Sequence, residues 1–209
     1  MSDHHVYWQE ETSEPEYAPL RGDREADVVV VGAGITGLTT ALRLQDEGRN
    51  VVVLDMLTVG KGTTGHSSGH LDTSSDISLQ SLVRKFGEEA ARRAILAKRE
   101  ALEHIAGRER EFALDCRLVR IPAFQYAETE EEADQLEQEH EAAGRLGLDV
   151  ERIEAAPLPF MTVRALKHAQ QARFDPFRYV CGLAEVFARR DGQLFDRTRV
   201  ENIEETGGR

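Results

Sequence analysis

Residues 26–55 read ADVVVVGAGITGLTTALRLQDEGRNVVVLD, and this stretch decides the fold. Its first part, residues 27–31, is a β-branched run without alternation, which predicts a central parallel strand buried on both faces. An apolar face at helical spacing follows, and Gly48 is placed to end that helix. Residues 51–54 predict a second strand. The order strand, helix, strand indicates an α/β fold with a doubly wound parallel sheet.

Three glycines with G-x-G-x-x-G spacing lie between the first strand and the helix. Gly32 permits the sharp turn, Gly34 lets the backbone approach a pyrophosphate, and Gly37 lets the helix pack closely on the sheet. Asp55 ends the second strand, where a carboxylate accepts hydrogen bonds from ribose hydroxyls. These features predict an adenine dinucleotide site. The alternative is a glycine turn that binds nothing, which leaves the spacing without a purpose.

A second glycine-rich loop follows, because residues 60–72 read GKGTTGHSSGHLD. Its Gly, Ser and Thr residues offer many backbone and hydroxyl donors to a large flat ligand. NAD dehydrogenases do not usually need such a loop at this place. The loop therefore favours FAD, and an NAD-binding module is the less favoured alternative.

With these motifs the sequence resembles the FAD-dependent D-amino acid oxidase and glycine oxidase superfamily, in particular bacterial flavoproteins that often carry a C-terminal Rieske domain. The stretches that carry the resemblance are YW, DVVVVGAGITGLTTALRL, GKGTTGHSSGHL, KFGEEAARRA, ARFDPFRYVCGLAEVFARRDG and FDRTRV. The resemblance implies an FAD-binding Rossmann-like sheet. It also implies an oxidoreductase that transfers hydride from an amine or amino acid, at a CH-NH or CH-NH2 group, to the flavin N5.

The resemblance further implies contacts with each part of FAD. The expected residues are Gly32, Gly34, Ile35, Thr36 and Gly37 at the pyrophosphate, Asp55 at the adenosine ribose, Val200 at the adenine through its backbone, and Thr63, Thr64, Gly65, His66, Ser67 and Ser68 at the flavin. Met56 follows the acid where many relatives have Arg or Lys, so no cationic contact is implied there.

His66 has two alternative roles. The GTTGHSSG run is similar to a loop of dimethylglycine and sarcosine dehydrogenases whose histidine is bonded covalently to flavin, and neutral imidazole is a nucleophile. A non-covalent contact is the alternative. His66, His70 and Asp72 also form an H-x3-H-x-D pattern, but the neighbouring glycines disfavour the helix that would make such ligands converge, so no metal is predicted.

No catalytic residue is predicted. Arg164, Arg173 and His168 could meet a substrate carboxylate, but solvation or structural pairing accounts for each of them.

The rest of the chain predicts further elements. Residues 78–112 indicate one helix or two broken at Gly87, residues 118–126 a strand interrupted by Pro122, and residues 130–146 a charged helix. Residues 165–172 indicate a strand, Asp175 and Pro176 start a helix that stops at Gly192, and residues 194–203 indicate a third strand of the sheet.

The length of 209 residues is too short for a complete member of this superfamily, and no Rieske ligand pair or second flavin motif is present. The sequence therefore predicts an N-terminal portion of a longer enzyme. We expect an arm at 1–25, the FAD domain at 26–77 and again, incomplete, at 174–209, and an inserted α+β segment at 78–173 that begins a substrate domain. The alternative is a non-catalytic fragment that binds only the ADP part of FAD, or that needs a second chain to supply the C-terminal half.

The charge, the cysteine content and the hydropathy of the chain limit the partners and the location that are expected. The net charge of −12 argues against nucleic acid and anionic membranes. Cys116 and Cys181 are too few and too far apart for a disulfide framework. Without a signal peptide or a long apolar run, a cytoplasmic protein is expected, with a small amine or amino acid as substrate.

Overall fold

The computed structural model describes residues 6–73 and 77–205. The helices and strands are β1 (Val28–Val31), α1 (Ile35–Asp46), β2 (Val51–Leu54), β3 (His70–Leu71), α2 (Leu79–Phe86), α3 (Glu88–Phe112), β4 (Val119–Ala127), α4 (Glu130–Arg145), β5 (Val150–Ile153), β6 (Arg164–Arg173), α5 (Pro176–Arg189) and β7 (Gln193–Phe195). Short 3₁₀ helices occur at Tyr7–Gln9 and Thr64–His66.

The chain divides into two compact units. The first contains Met1–Gly69, Arg108–Arg117 and Asp175–Arg209. The second contains His70–Gly107 and Leu118–Phe174.

The first unit is built on a parallel three-stranded sheet with the order β1-β2-β7. Val28 pairs with Val51 and Leu54 pairs with Phe195, so the three strands run in register with their carboxyl ends at one edge. This arrangement confirms the predicted strand–helix–strand fold, since α1 connects β1 to β2. The loops that follow β1, β2 and β7 therefore leave the sheet at the same edge, where open α/β sheets bind ligands.

Two helices of the first unit follow from clear start and stop signals. Gly48, with φ of 78°, follows the end of α1 as predicted. Asp175 caps α5, because its Oδ1 accepts the N–H groups of Phe177 and Arg178 at 3.0 Å each, and Pro176 occupies the first turn. Helix α5 is apolar on most of its surface and buries large side chains such as Phe187.

The second unit is built on an antiparallel sheet centred on β6. Strand β4 pairs along nearly its whole length, and β5 and β3 pair with its two ends. The register shifts between Ile121 and Ala123, which confirms the irregularity predicted at Pro122. Gly87, with φ of 82°, separates α2 from α3, so of the two predicted alternatives the pair of helices is the correct one.

The helices of the second unit pack on this sheet through a common apolar core that includes Leu79, Ile95, Leu146 and Leu166. Helix α4 begins with a capping box between Thr129 and Glu132. Across residues 6–73 and 77–205, no helix is both long enough and apolar enough to cross a bilayer.

Two predictions about strands were wrong, and the strand β5 was not predicted. Strand β1 is not buried on both faces, because it lies at the edge of the sheet and leaves Val29 and Val31 53% and 60% exposed. The predicted strand at 194–203 ends at Phe195. Beyond it, the N–H groups of Arg197 and Thr198 donate to the carbonyls of Leu57 and Asp55 in the segment after β2, and the positive φ of Arg197 turns the chain. Strand β5 was missed, since its sequence VERI carries no clear alternation.

Candidate functional site

The glycine turn after β1 brings the helix unusually close to the sheet. Gly32 has φ of 105°, which an L side chain rarely adopts, and its N–H donates to the Leu54 carbonyl at 2.7 Å. A Cβ on Gly37 would lie 1.9 Å from the Gly32 carbonyl oxygen. Both glycines are therefore required by the backbone geometry itself, which the spacing had predicted.

The first turn of α1 presents unpaired N–H groups. The Ile35 N–H donates to Thr64 Oγ1 at 3.1 Å, and the first bond within the helix is from Leu38 to Gly34. The N–H groups of Thr36 and Gly37 have no acceptor among the residues that the structure describes. Two such donors at the positive end of a helix dipole suit an anion such as a pyrophosphate.

Asp55 ties the tip of β2 to this turn. Its Oδ2 accepts the Ala33 N–H at 2.6 Å, and its Oδ1 accepts the Leu57 N–H at 2.8 Å. Each carboxylate oxygen has a second lone pair, so the group can still accept a hydroxyl from a ligand. The acid therefore fixes the turn and also presents an acceptor beside it.

These groups line one pocket of about 440 Å³, a volume typical of small-molecule sites. Of the residues predicted to contact the cofactor, those that line it are Gly32, Gly34, Ile35, Thr36, Gly37, Asp55, Thr63, Thr64 and Val200. Gly34 is one of these residues, and a Cβ on it would be 3.1 Å from Thr64 Oγ1.

The other four predicted residues, Gly65, His66, Ser67 and Ser68, are not among those that line the pocket. His66 is exposed, and its Nδ1 lies 2.8 Å from the Gly62 carbonyl oxygen. If the neutral ring donates that bond, Nε2 carries the free lone pair that a nucleophile needs. Contact of these four residues with the flavin remains a prediction.

Sequence reasoning missed several residues of the pocket wall. Gly62, Thr198 and Arg199 line it together with Met56. Among the described lining residues, Arg199 is the one with a positively charged side chain. Its Nη2 lies 3.7 Å from the Met56 sulfur. The adjacency of Thr198 and Arg199 to Val200 was the available signal, but the predicted strand would have pointed alternate side chains away from each other.

A buried acid lies just before this wall. Asp196 is fully buried, its Oδ1 has no hydrogen-bond partner among the described residues, and its Oδ2 is 3.4 Å from the Tyr17 N–H. Burial raises the pKa of Asp196 to about 6. Asp196 lies in sequence between β7 and the lining residues Thr198, Arg199 and Val200.

The three side chains considered for a substrate carboxylate lie in the second unit. Arg164 pairs with Glu137 at 3.2 Å. His168 is buried beside Gln125, and burial lowers its pKa. Among the described residues, no cluster of three or more His, Cys, Asp or Glu side chains is arranged to hold a metal ion.

Comparison with known proteins identifies the family of the chain. The sequence profile of the DAO family, described as FAD dependent oxidoreductase, matches residues 27–209. The chain belongs to this family. Its FAD-dependent nature agrees with the predicted resemblance and with the predicted cofactor.

The chain is also similar to individual proteins in sequence or in fold. The chain is 32% identical over 193 residues to YhfW of Bacillus subtilis, named as a Rieske 2Fe-2S iron-sulfur protein, with 92% of this chain and 38% of that protein covered. Its fold is similar to glycine oxidase from Geobacillus kaustophilus (TM-score 0.63, 24% identity, 82% and 46% covered). It is also similar to L-amino acid deaminase from Proteus myxofaciens (TM-score 0.72, 17% identity, 95% and 44% covered). The chain spans less than half the length of each of these proteins.

Proposed function

We propose that the pocket binds FAD, and that the chain is the N-terminal portion of an oxidoreductase acting on an amine or amino acid. The observation that carries this proposal is the pair of unpaired amides, those of Thr36 and Gly37, in one pocket with the Asp55 carboxylate. The amides would hold the pyrophosphate, and Asp55 would hold the adenosine ribose. The backbone of Val200 would meet the adenine.

The second glycine loop would approach the flavin side of the cofactor. Thr63 and Thr64 line the pocket, and the proposal extends to Gly65, His66, Ser67 and Ser68 beyond them. When bound, the flavin supplies the redox chemistry, taking hydride from the carbon that bears the amine. The chain's own contribution is to bind and orient the cofactor, and no general base is assigned.

The substrate class is proposed from the relatives, since two of them are named for acting on glycine and on L-amino acids. We also propose the predicted domain division, with residues 78–173 as the start of a substrate domain. The acidic net charge does not favour nucleic acid as a partner.

A second candidate function is a fragment that binds only the ADP part of FAD or needs a second chain. The exposed Val29 and Val31 favour it, because β1 leaves both an apolar face and a backbone edge open. A polypeptide that supplies the half present in the longer relatives would cover this edge.

Titration of the purified protein with FAD and with ADP tests both candidates. Gly34→Val places a side chain in the pocket lining and should keep the pyrophosphate away from the Thr36 and Gly37 amides. The Kd for FAD should then rise at least about a hundredfold, since two charge-assisted hydrogen bonds are lost. Gly107→Val is the matched control, because a Cβ at this helical glycine meets nothing within 4 Å.

Unchanged FAD affinity in the Gly34 variant would refute the site. Equal affinities for FAD and ADP in the wild-type protein would favour the ADP-binding fragment over the enzyme.

A further inference from the structure

The N-terminal arm, defined here as residues 6–20, is attached to residues 60–67, the first part of the second glycine-rich loop, which is called the second glycine loop below. The indole Nε1 of Trp8 donates to the Ser67 carbonyl at 2.8 Å. At the other end of the loop, the Lys61 ammonium donates to Gln9 Oε1 at 2.8 Å and forms an ion pair with Glu14. The arm therefore holds this loop at both ends.

The same arm also holds the segment at 196–200, whose last three residues line the pocket. The Leu20 N–H donates to Thr198 Oγ1 at 2.9 Å. The Arg197 guanidinium donates to the Tyr17 carbonyl at 2.8 Å. One irregular segment thus connects two separate parts of the pocket wall.

Both parts of the wall lie outside the strands, and each also has contacts within its unit. The N–H groups of Arg197 and Thr198 donate to the carbonyls of Leu57 and Asp55, and the loop lies close to α5. The second glycine loop contains only one 3₁₀ turn, and the segment at 196–200 belongs to no strand. The arm also packs tightly on the loop, because a Cβ on Gly65 would lie 2.9 Å from Gln9 Nε2. The nearest atom to that Cβ is the loop's own Gly60 carbonyl oxygen, at 2.6 Å, so glycine at this position is also required by the turn of the loop itself.

We infer that the arm is a positioning element of the cofactor site, and that Trp8 is the residue that sets the position of the second glycine loop. The inference rests on the proposed FAD site. No described residue of the arm lines the pocket, so the arm acts through the loop and not by contact with the ligand. Glu11 anchors the arm to the rest of its unit through Arg117 at 2.6 Å.

Trp8→Phe tests this inference, because it removes the indole donor and keeps an aromatic ring. Tyr7→Phe is the matched control, since Tyr7 is the neighbouring aromatic residue and is 70% exposed. Three quantities are measured for each variant: the Kd for FAD, the Kd for ADP, and the free energy of unfolding in urea.

We expect the Trp8 variant to bind FAD with a Kd about three- to tenfold higher, which is the effect of one lost hydrogen bond. ADP affinity should change less, because ADP ends at the pyrophosphate and does not extend along the second glycine loop. The Tyr7 variant should match the wild-type protein in both affinities.

Unchanged FAD affinity in the Trp8 variant would overturn the inference, and so would an equal loss for FAD and ADP, which indicates general destabilisation. If the Trp8 variant does not fold, Lys61→Met serves as the second test, because it removes the loop's contacts with Gln9 and Glu14. This variant should likewise lose affinity for FAD more than affinity for ADP. A wild-type protein that binds no FAD would refute the proposed function instead, and the role of the arm with it.

Discussion

Replacing Gly37 with alanine perturbs the closest contact between α1 and the glycine turn. The new Cβ would lie 1.9 Å from the Gly32 carbonyl oxygen and 3.0 Å from its carbon, and both atoms belong to the backbone. A carbon and an oxygen in close contact lie about 3.3 Å apart, so the start of α1 would have to retreat by more than about 1 Å.

This displacement lowers the stability of the protein by an amount that can be estimated. Overpacking of this kind costs about 1–3 kcal/mol of stability, against a gain of about 1 kcal/mol from the better helix propensity of alanine. Gly107→Ala brings the same propensity gain without a contact, so the free energies of unfolding of the two variants should differ by about 1–3 kcal/mol.

FAD binding should suffer more than stability. A shift of about 1 Å lengthens the hydrogen bonds from the Thr36 and Gly37 amides beyond a useful distance. At about 1.5 kcal/mol for each bond to a charged group, the Kd for FAD should rise roughly a hundredfold. Urea unfolding and titration of protein-bound flavin absorbance measure both effects. The importance of this close contact is refuted if Gly37→Ala binds FAD as tightly as the wild-type protein does. It is also refuted if Gly37→Ala and Gly107→Ala have the same free energy of unfolding.

Two other groups of the first unit lead to predictions. The raised pKa of Asp196 means that its protonated form favours the folded state: this stabilisation is complete below pH 3.8 and is lost as the pH rises to about 6, by at most about 3 kcal/mol. The wild-type protein should therefore lose stability relative to Asp196→Asn between pH 4 and pH 7 in urea unfolding, and a constant difference between the two would contradict the raised pKa. Because His66 does not line the pocket, acid precipitation should release the flavin into the supernatant. Colour that stays with the wild-type pellet, but not with that of His66→Ala, would instead demonstrate a covalent bond.

The parts of the fold that were predicted correctly depend on neighbouring residues in the sequence. The break at Gly87 follows from its positive φ, and the start of α5 follows from Asp175 and Pro176. Each of these signals acts over a few residues, so a single sequence is sufficient to identify them.

The errors have a different physical origin, because they depend on contacts between distant segments. Strand β7 ends early since Arg197 and Thr198 donate to carbonyls more than a hundred residues earlier in the chain. The exposure of Val29 depends on which strands lie beside β1, and its apolar sequence is the same in either case. The lining residues Thr198 and Arg199 were missed for the same reason, since the turn that brings them to the pocket is fixed by these distant bonds.

The acid at the tip of β2 shows why the cofactor fingerprint is nevertheless readable from sequence. Asp55 contacts three segments at once: its carboxylate accepts the N–H groups of Ala33 and Leu57, and its carbonyl accepts that of Thr198 at 2.7 Å. The same residue is therefore needed to assemble the pocket and, in the proposed site, to hold the ribose. Because an acceptor bonded to the backbone is already oriented before a ligand arrives, little ordering remains for binding to accomplish. In the proposed site, folding and cofactor binding would thus require the same acid at the same position, and this shared requirement would keep the pattern short and local enough to recognise.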